Sequence, residues 1–285
     1  MTTVAFIGTG LLGGAMAERM LAQGDSVTVW NRTAAKLQAL QTAGALVSHS
    51  AADAVAAADH VHIALTDDAV VDAILAEVVP RLRRDAIVMD HSTTLPVTTL
   101  ARAARLAQAG VGFLHAPVFM SPQMCRDGKG LIMVSGPAAI FAAAQPALAR
   151  MTGDVWYLGE RSDLAACYKL FGNSMLFAIN AGLTDVLAMA RNLGVAGGEA
   201  VALFSRFNTS MAIPMRGQKM AAGDFSPMFE LAMARKDVRL MLESAGPQPL
   251  VVLPALAARM DEMIAAGHGK DDFAAIAAPV LRSSS

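Results

Sequence analysis

The feature that most limits what this chain can fold into is a glycine pattern at its start. Thr3 to Ile7 is a short apolar run, and Gly8-Thr9-Gly10-Leu11-Leu12-Gly13 follows it as G-x-G-x-x-G. A helical stretch then runs from Leu11 to Gln23 and stops at Gly24. A strand, a glycine turn and a helix in that order form a loop that cradles a pyrophosphate. Gly8 suits the tight turn, Gly10 lets the backbone approach the phosphates, and Gly13 lets the helix pack closely on the strand. The unpaired N–H groups around Thr9, Leu11 and Leu12 then face the ligand at the positive end of the helix dipole.

The end of the second strand, Ser26 to Trp30, selects the cofactor. A binder of NAD places Asp or Glu there to hold the ribose 2′-hydroxyl. This chain has Asn31-Arg32-Thr33 instead. Arg32 suits a 2′-phosphate through a charge-assisted contact, and Asn31 and Thr33 add hydrogen bonds. The reading is NADP(H) in preference to NAD(H). Its alternative is an Arg32 that is simply solvated on the loop.

Strand and helix signals alternate through the first half. Strand-like runs cover 45–48, 60–65, 86–90, 113–118, 130–135 and 155–158. Helical patterns cover 34–43, 51–58, 69–75, 95–109 and 138–151. Such alternation implies α/β architecture, a doubly wound, mostly parallel sheet of Rossmann type with helices on both faces. The character changes near Arg161. One proline-free helical pattern spans 163–193, and 197–208, 229–245, 251–266 and 271–278 also read as helical. The expected division is a dinucleotide-binding domain over 1–162 and an all-helical domain over 163–285, joined by the long helix. Ser283 to Ser285 reads as a frayed end.

Composition narrows the class. The 285 residues are 54% hydrophobic and 16% charged, with a net charge of −1, which argues against disorder and against bulk attraction to nucleic acid or an anionic membrane. Two stretches without charge, 106–125 and 130–149, are broken by Pro117, Pro122, Pro137 and Pro146, which favours soluble structure over a membrane span. No targeting segment is read at the start. Cys125 and Cys167 are too few and too far apart for a disulfide framework or a thiolate zinc site, so a reducing, cytoplasmic setting is expected. The histidines His60, His62, His91 and His115 assemble no convincing ligand set, so no metal is expected. Ser92 lies in no nucleophile elbow. Arg216 and Lys219 read as a solvated face or as contacts to an acidic substrate group.

Lys169 stands out in Ala165-Ala166-Cys167-Tyr168-Lys169-Leu170-Phe171-Gly172-Asn173, where its neighbours are uncharged. It either snorkels to solvent or projects into a cleft. In the second case Asn173, one helical turn on, fixes the ammonium, and desolvation lowers its pKa towards a useful general-acid range.

Several segments together resemble the β-hydroxyacid dehydrogenase family, which includes 3-hydroxyisobutyrate dehydrogenase and glyoxylate/succinic semialdehyde reductases. They are Phe6 to Leu21, Asn31-Arg32-Thr33, Val88 to Pro96, Ala116-Pro117-Val118, Lys169 to Asn173 and Ala234 to Leu242. The resemblance covers nearly the whole length. It implies that Lys169 is the catalytic lysine and that Asn173 orients it and the substrate. It implies cofactor contacts at Leu65, Thr66, Thr93, Phe229 and Lys236. It further implies a helical half similar to the 6-phosphogluconate dehydrogenase C-terminal domain, mediating a homodimer or homotetramer.

The substrate segment departs from the family pattern. Where the family reads roughly Asp-Ala-Pro-Val-Ser-Gly-Gly, this chain has His115-Ala116-Pro117-Val118-Phe119-Met120-Ser121. The serine and glycines that grip a carboxylate are missing. Phe119, Met120 and Ser121 stand as substrate candidates, for a larger or less polar carbonyl or an imine. The glycines usual before the lysine are replaced by Asp163 and Ala165. The expected activity is hydride transfer between NADP(H) and a carbonyl or hydroxyl carbon. The alternatives are an imine reductase, a class that generally lacks a lysine at this position, and a noncatalytic dinucleotide-binding scaffold.

Overall fold

A computed structural model describes residues 2–281, so the serine end lies outside the described residues. The chain divides into two compact units, 1–173 and 174–285. The long helix Leu164–Asn192 begins in the first and continues into the second.

The first unit alternates strands and helices. In chain order these are β1 (Thr3–Ile7), α1 (Leu11–Ala22), β2 (Ser26–Trp30), α2 (Gln38–Thr42), β3 (Leu46–Val47), α3 (Ala51–Val55), β4 (His60–Ile63), α4 (Asp68–Val78), β5 (Ile87–Asp90) and α5 (Pro96–Gln108). Then come β6 (Gly112–His115), β7 (Val118–Phe119), α6 (Pro122–Arg126), β8 (Leu131–Ser135), α7 (Ala138–Met151), β9 (Asp154–Gly159) and the start of α8 (Leu164–Asn192). Strands lie in the order β3-β2-β1-β4-β5-β6, all parallel, and β8 joins β6 in the antiparallel sense. β7 pairs with β8 antiparallel and β9 pairs with it parallel. The order reverses between β1 and β4, and a ligand binds at such a switch point, beyond the carboxyl ends of the strands.

Side chains of β1 alternate between two cores. Val4 and Phe6 enter one, with Met16 and Leu148; Ala5 and Ile7 enter the other, with Val71 and Leu75. Period-two alternation with both faces covered is what a parallel sheet between helix layers requires. Several expected elements are shorter or differently divided. The helix over 34–43 is a 3-10 turn followed by five α residues, and the strand at 45–48 has only two residues. The strand expected over 113–118 breaks into β6 and β7 around Ala116-Pro117, because proline has no N–H for the ladder. Pro122 stands at the first turn of α6, a short helix between β7 and β8.

The second unit is helical: the rest of α8, α9 (Gly197–Ala202), α10 (Gln218–Ala221), α11 (Leu231–Ala245), α12 (Leu253–Met263) and α13 (Ala278–Leu281). α11 and α12 pack through Leu231, Ala234, Val238, Ala257 and Met260. Buried Asp185 on α8 accepts the N–H groups of Val251, Val252 and Leu253, satisfying donors that the start of α12 leaves unpaired. The helices expected over 197–208 and 271–278 are broken by 3-10 turns at Leu203–Ser205 and Phe273–Ala277. α8 is long and apolar enough to cross a membrane by length and composition alone.

Three near-parallel rings cluster against one another in the core: the Phe6–His62, His62–His91 and Phe6–His91 centroids are 5.8, 5.1 and 6.5 Å apart. His91 Nδ1 lies 2.7 Å from the carbonyl oxygen of Ala116, so that nitrogen carries the hydrogen and donates. His91 Nε2 must then accept from His62 Nδ1, 2.8 Å away. The pairing needs a neutral His91, whose Nε2 must keep its lone pair. Burial holds His62 well below its ordinary value and pushes His91 down to about 4 and His115 down to about 3. Burial also pushes the Asp90 carboxyl up to about 6.

The signs oppose each other. A histidine with a depressed folded pKa contributes stability above 6.5 that is lost as pH falls. Asp90, raised, contributes stability at low pH that is lost as pH rises through about 6. Between pH 6.5 and 4 the three rings outnumber the one carboxyl, so thermal stability should fall on acidification. His62→Phe keeps an aromatic ring in the cluster, removes one titrating group and should flatten that slope by up to ~1.4 kcal/mol per pH unit. Calorimetry at a series of pH values checks this; an unchanged slope contradicts it.

Candidate active site

Sequence order and close packing build the dinucleotide cradle. Gly8 has φ +96, and a Cβ there would meet the Ala64 backbone. A Cβ at Gly13 would overlap the Gly8 carbonyl oxygen, so α1 approaches the turn only because Gly13 is bare. At Gly10 a Cβ would meet nothing within 4 Å. The described residues therefore leave the backbone at Gly10 open, which fits the close approach of a pyrophosphate. No side chain caps the start of α1, and no acid lies in its first turn. The Thr9 hydroxyl is buried without a partner. Leu11 is exposed, and Leu12 packs against the core. Free N–H groups, the positive helix end and an orphaned hydroxyl fit the phosphates of a dinucleotide.

The cleft beside this turn has a volume of about 440 Å³ and is lined by Gly8, Gly10, Asn31, Arg32, Thr33, Leu65 and Thr66 among others. Asn31 braces it: its Oδ1 accepts from the Thr9 N–H, and its Nδ2 donates to the Thr33 carbonyl. Arg32 and Thr33 are exposed on its rim. The lining contains two cations, Arg32 and Lys36, and no carboxylate among the described residues. Lys36 is a residue the sequence reading passed over. The signal was a second cation one turn after Arg32, brought to the same rim by the 3-10 turn at Ala34–Leu37. The wall opposite is apolar, formed by Val70, Ala73 and Ile74.

The loops after β4 and β5 are tied together. Asp90 accepts from the Ser92 N–H at 2.9 Å, and Ser92 Oγ accepts from the Leu65 N–H at 2.9 Å. Thr93 follows, exposed. Arg102, fully buried on α5, donates to Asp68 and Asp72 on α4 and holds the two helices beneath these loops.

Lys169 does not snorkel into open solvent. It is half-buried on α8, and its Nζ donates to the carbonyl oxygen of Val118 at 2.7 Å. The same ammonium lies 4.1 Å from the centroid of the Phe119 ring. Desolvation holds its pKa below the ordinary lysine value. The partner anticipated from spacing, Asn173, is half-buried one turn along, and the ammonium is held by the Val118 carbonyl instead.

The three substrate candidates separate. Phe119 is at the lysine. Met120 packs against the core and over Gly130. Ser121 is exposed, and its oxygen caps α6 by accepting from the Met124 N–H. His115 is fully buried; neither ring nitrogen makes a hydrogen bond, and its Nδ1 lies 3.9 Å from Asp90 Oδ2.

Phe229 and Lys236 belong to the second unit. The Phe229 ring stands edge-on to Phe273 at 5.9 Å, and Lys236 pairs with Asp237. Arg216 is held by Asp272 and lies over the Phe273 ring, while Lys219 donates to Ser226. Among the described residues no group of three or more His, Cys, Asp or Glu side chains could hold a metal ion.

Comparison with known proteins matches both halves. Residues 3–159 match the model of the NAD binding domain of 6-phosphogluconate dehydrogenase, and 165–280 match that of the NAD-binding region of NADP-dependent 3-hydroxyisobutyrate dehydrogenase. Glyoxylate/succinic semialdehyde reductase 1 of Arabidopsis thaliana is 28% identical over 96% of each chain. Cytokine-like nuclear factor N-PAC of Drosophila melanogaster is 29% identical over 85% of this chain, which spans 41% of that protein's length. The solved imine reductase of Streptomyces aurantiacus has a TM-score of 0.90 at 23% identity, covering 99% of this chain and all of that one, and shares the two-domain fold. With its larger part matched by one of these models and a full-length reductase relative besides, the chain belongs to the β-hydroxyacid dehydrogenase family of NAD(P)-dependent dehydrogenases and reductases.

Proposed function

We propose that the chain is an NADP(H)-dependent oxidoreductase acting between a carbonyl and a hydroxyl carbon, with Lys169 as proton donor or acceptor. The observation that carries this is the half-buried Lys169 ammonium, held at 2.7 Å by a carbonyl oxygen and, among the described residues, by no carboxylate. When bound, the dinucleotide supplies or takes the hydride. In the reducing direction the substrate oxygen gains negative charge, and a neighbouring ammonium stabilises it and then gives up a proton. The Val118 carbonyl fixes one N–H without neutralising the charge, and the Phe119 ring lies beside the ammonium, which leaves an N–H for substrate. Desolvation makes the proton easier to lose. Asn173 is proposed to orient the substrate, and Thr93, Phe229 and Lys236 to contact the cofactor.

Preference for NADP(H) rests on the Arg32 and Lys36 rim with no acid beside it. Arg32→Ala should raise the Kd for NADPH roughly tenfold or more and change that for NADH little. Fluorescence titration with both cofactors checks it; equal losses contradict the 2′-phosphate contact.

Imine reduction is the second reading, favoured by likeness to solved imine reductases, one of them, from Bacillus cereus, 26% identical with a TM-score of 0.83. Following NADPH absorbance over aldehydes, keto acids and cyclic imines separates the readings. Carbonyl turnover is expected, and Lys169→Ala should cut it by about two to four orders of magnitude with NADPH binding intact. Turnover of imines alone, or near wild-type carbonyl turnover in the variant, contradicts the proposal. Tight NADPH binding with silence across the panel points to a noncatalytic holder.

A second copy of the chain is the proposed macromolecular partner. Phe177, Ile179 and Leu187 on α8 and Leu203 and Phe207 beyond it are exposed apolar side chains, of the kind that marks a protein interface. A dimeric or tetrameric mass by light scattering is expected, and a monomeric one contradicts it. The free thiols Cys125 and Cys167 fit the proposed cytoplasmic setting.

A further inference from the structure

Phe119 stands where the family pattern has serine, and its ring lies beside the proposed proton donor. We propose that Phe119 is a positioning residue for that reaction: its ring, seated against Gly172, supports the charged form of Lys169 and fixes the direction in which the ammonium points. The inference rests on Lys169 as proton donor and accounts for how a half-buried amine keeps the proton it must give.

β7 supplies both neighbours of the ammonium. The Val118 carbonyl oxygen accepts from Nζ at 2.7 Å. The centroid of the Phe119 ring lies 4.1 Å from the same atom. The face of an aromatic ring carries negative potential and attracts a cation, more strongly where the cation has lost water. This attraction acts on the ammonium and not on the neutral amine, so it opposes the loss of the proton that burial favours. The ring brings no net charge, so the ammonium can still meet an oxygen that gains negative charge.

No titratable side chain among the described residues takes over this task. Burial alone acts on the ionisation of Lys169. On its own helix, Cys167 lies beside Arg161 and Asp163, and Tyr168 stands against Trp156 and Phe171. Neither β7 nor β8 carries a titratable residue.

The ring is held in place. Phe119 pairs with Leu131 of β8. Its ring fills the notch that Gly172 leaves on α8, where any Cβ would overlap it. A glycine inside a long helix is unfavourable and needs a packing reason, and seating this ring provides one. Residues three apart on a helix share a face, so a ring seated at Gly172 comes to rest against Lys169.

The test follows the ionisation of Lys169 by heteronuclear NMR of labelled lysine in the full chain, beside the pH profile of kcat with succinic semialdehyde as the probe. Phe119→Leu keeps most of the volume and removes the ring. The pKa of Lys169 should fall by about half to one and a half pH units, and the alkaline limb of kcat should move down with it. Gly172→Ala keeps Phe119, dislodges its ring and suits the helix, and should shift both in the same direction. A purely structural role for Phe119 would lower thermal stability and leave the ionisation where it was. A pKa unchanged or raised in Phe119→Leu overturns the proposal, and Gly172→Ala decides on the same terms if that variant does not fold. A pKa that falls while the limb of kcat stays leaves the support of the ammonium by the ring standing and overturns Lys169 as the proton donor. The NMR reading needs no turnover, so silence with the probe leaves it decisive.

Discussion

The hydrogen bond from Lys169 Nζ to the Val118 carbonyl oxygen is the contact on which the functional reading depends. An ammonium taken half out of water needs a partner, and the kind of partner determines its chemistry. A carboxylate would have locked it into an ion pair and raised its pKa. A backbone carbonyl holds it in position, leaves its charge whole and lets desolvation lower its pKa. The carbonyl is available because Pro117 ends the ladder after β6, so the chain turns and β7 presents its edge to α8.

The cradle at the other end of the sheet depends on absence of atoms. Gly8 and Gly13 are bare because the chain itself fills the space, Gly8 against Ala64 and Gly13 against Gly8. Gly10 is bare with nothing near it. The same residue type thus answers two requirements, internal packing at two positions and access from outside at the third. The loops after β4 and β5, joined through Ser92 and Leu65, frame the same switch point. Their support comes from Arg102, whose buried guanidinium spans Asp68 and Asp72.

Much of this was legible in the sequence, and the parts that were not have physical reasons. The parallel sheet, the glycine turn and the long helix announce themselves because each has a local signature: apolar runs, glycine spacing, a proline-free amphipathic stretch. The break between β6 and β7 was missed although Pro117 marks it, because the runs on either side of it are apolar. Lys36 was missed because a 3-10 turn carries it to the rim, and periodicity does not report that geometry. The Val118 carbonyl beside Lys169 was not legible, because spacing along a helix points only to Asn173, whereas that carbonyl comes from a strand 51 residues earlier. Long-range pairing of this kind leaves no local pattern. The split among Phe119, Met120 and Ser121 was equally hidden, since it follows from β7 pairing and from the capping of α6.

In the proposed reaction the Lys169 ammonium delivers the proton to the reduced carbonyl oxygen. The most direct test is the pH dependence of carbonyl reduction set beside the ionisation of Lys169, followed by heteronuclear NMR of a labelled lysine side chain. The expected result is that kcat falls as pH rises through an ionisation below the ordinary lysine range, and that the NMR titration of Lys169 coincides with it. Reduction that continues unchanged while Lys169 loses its proton would contradict the account.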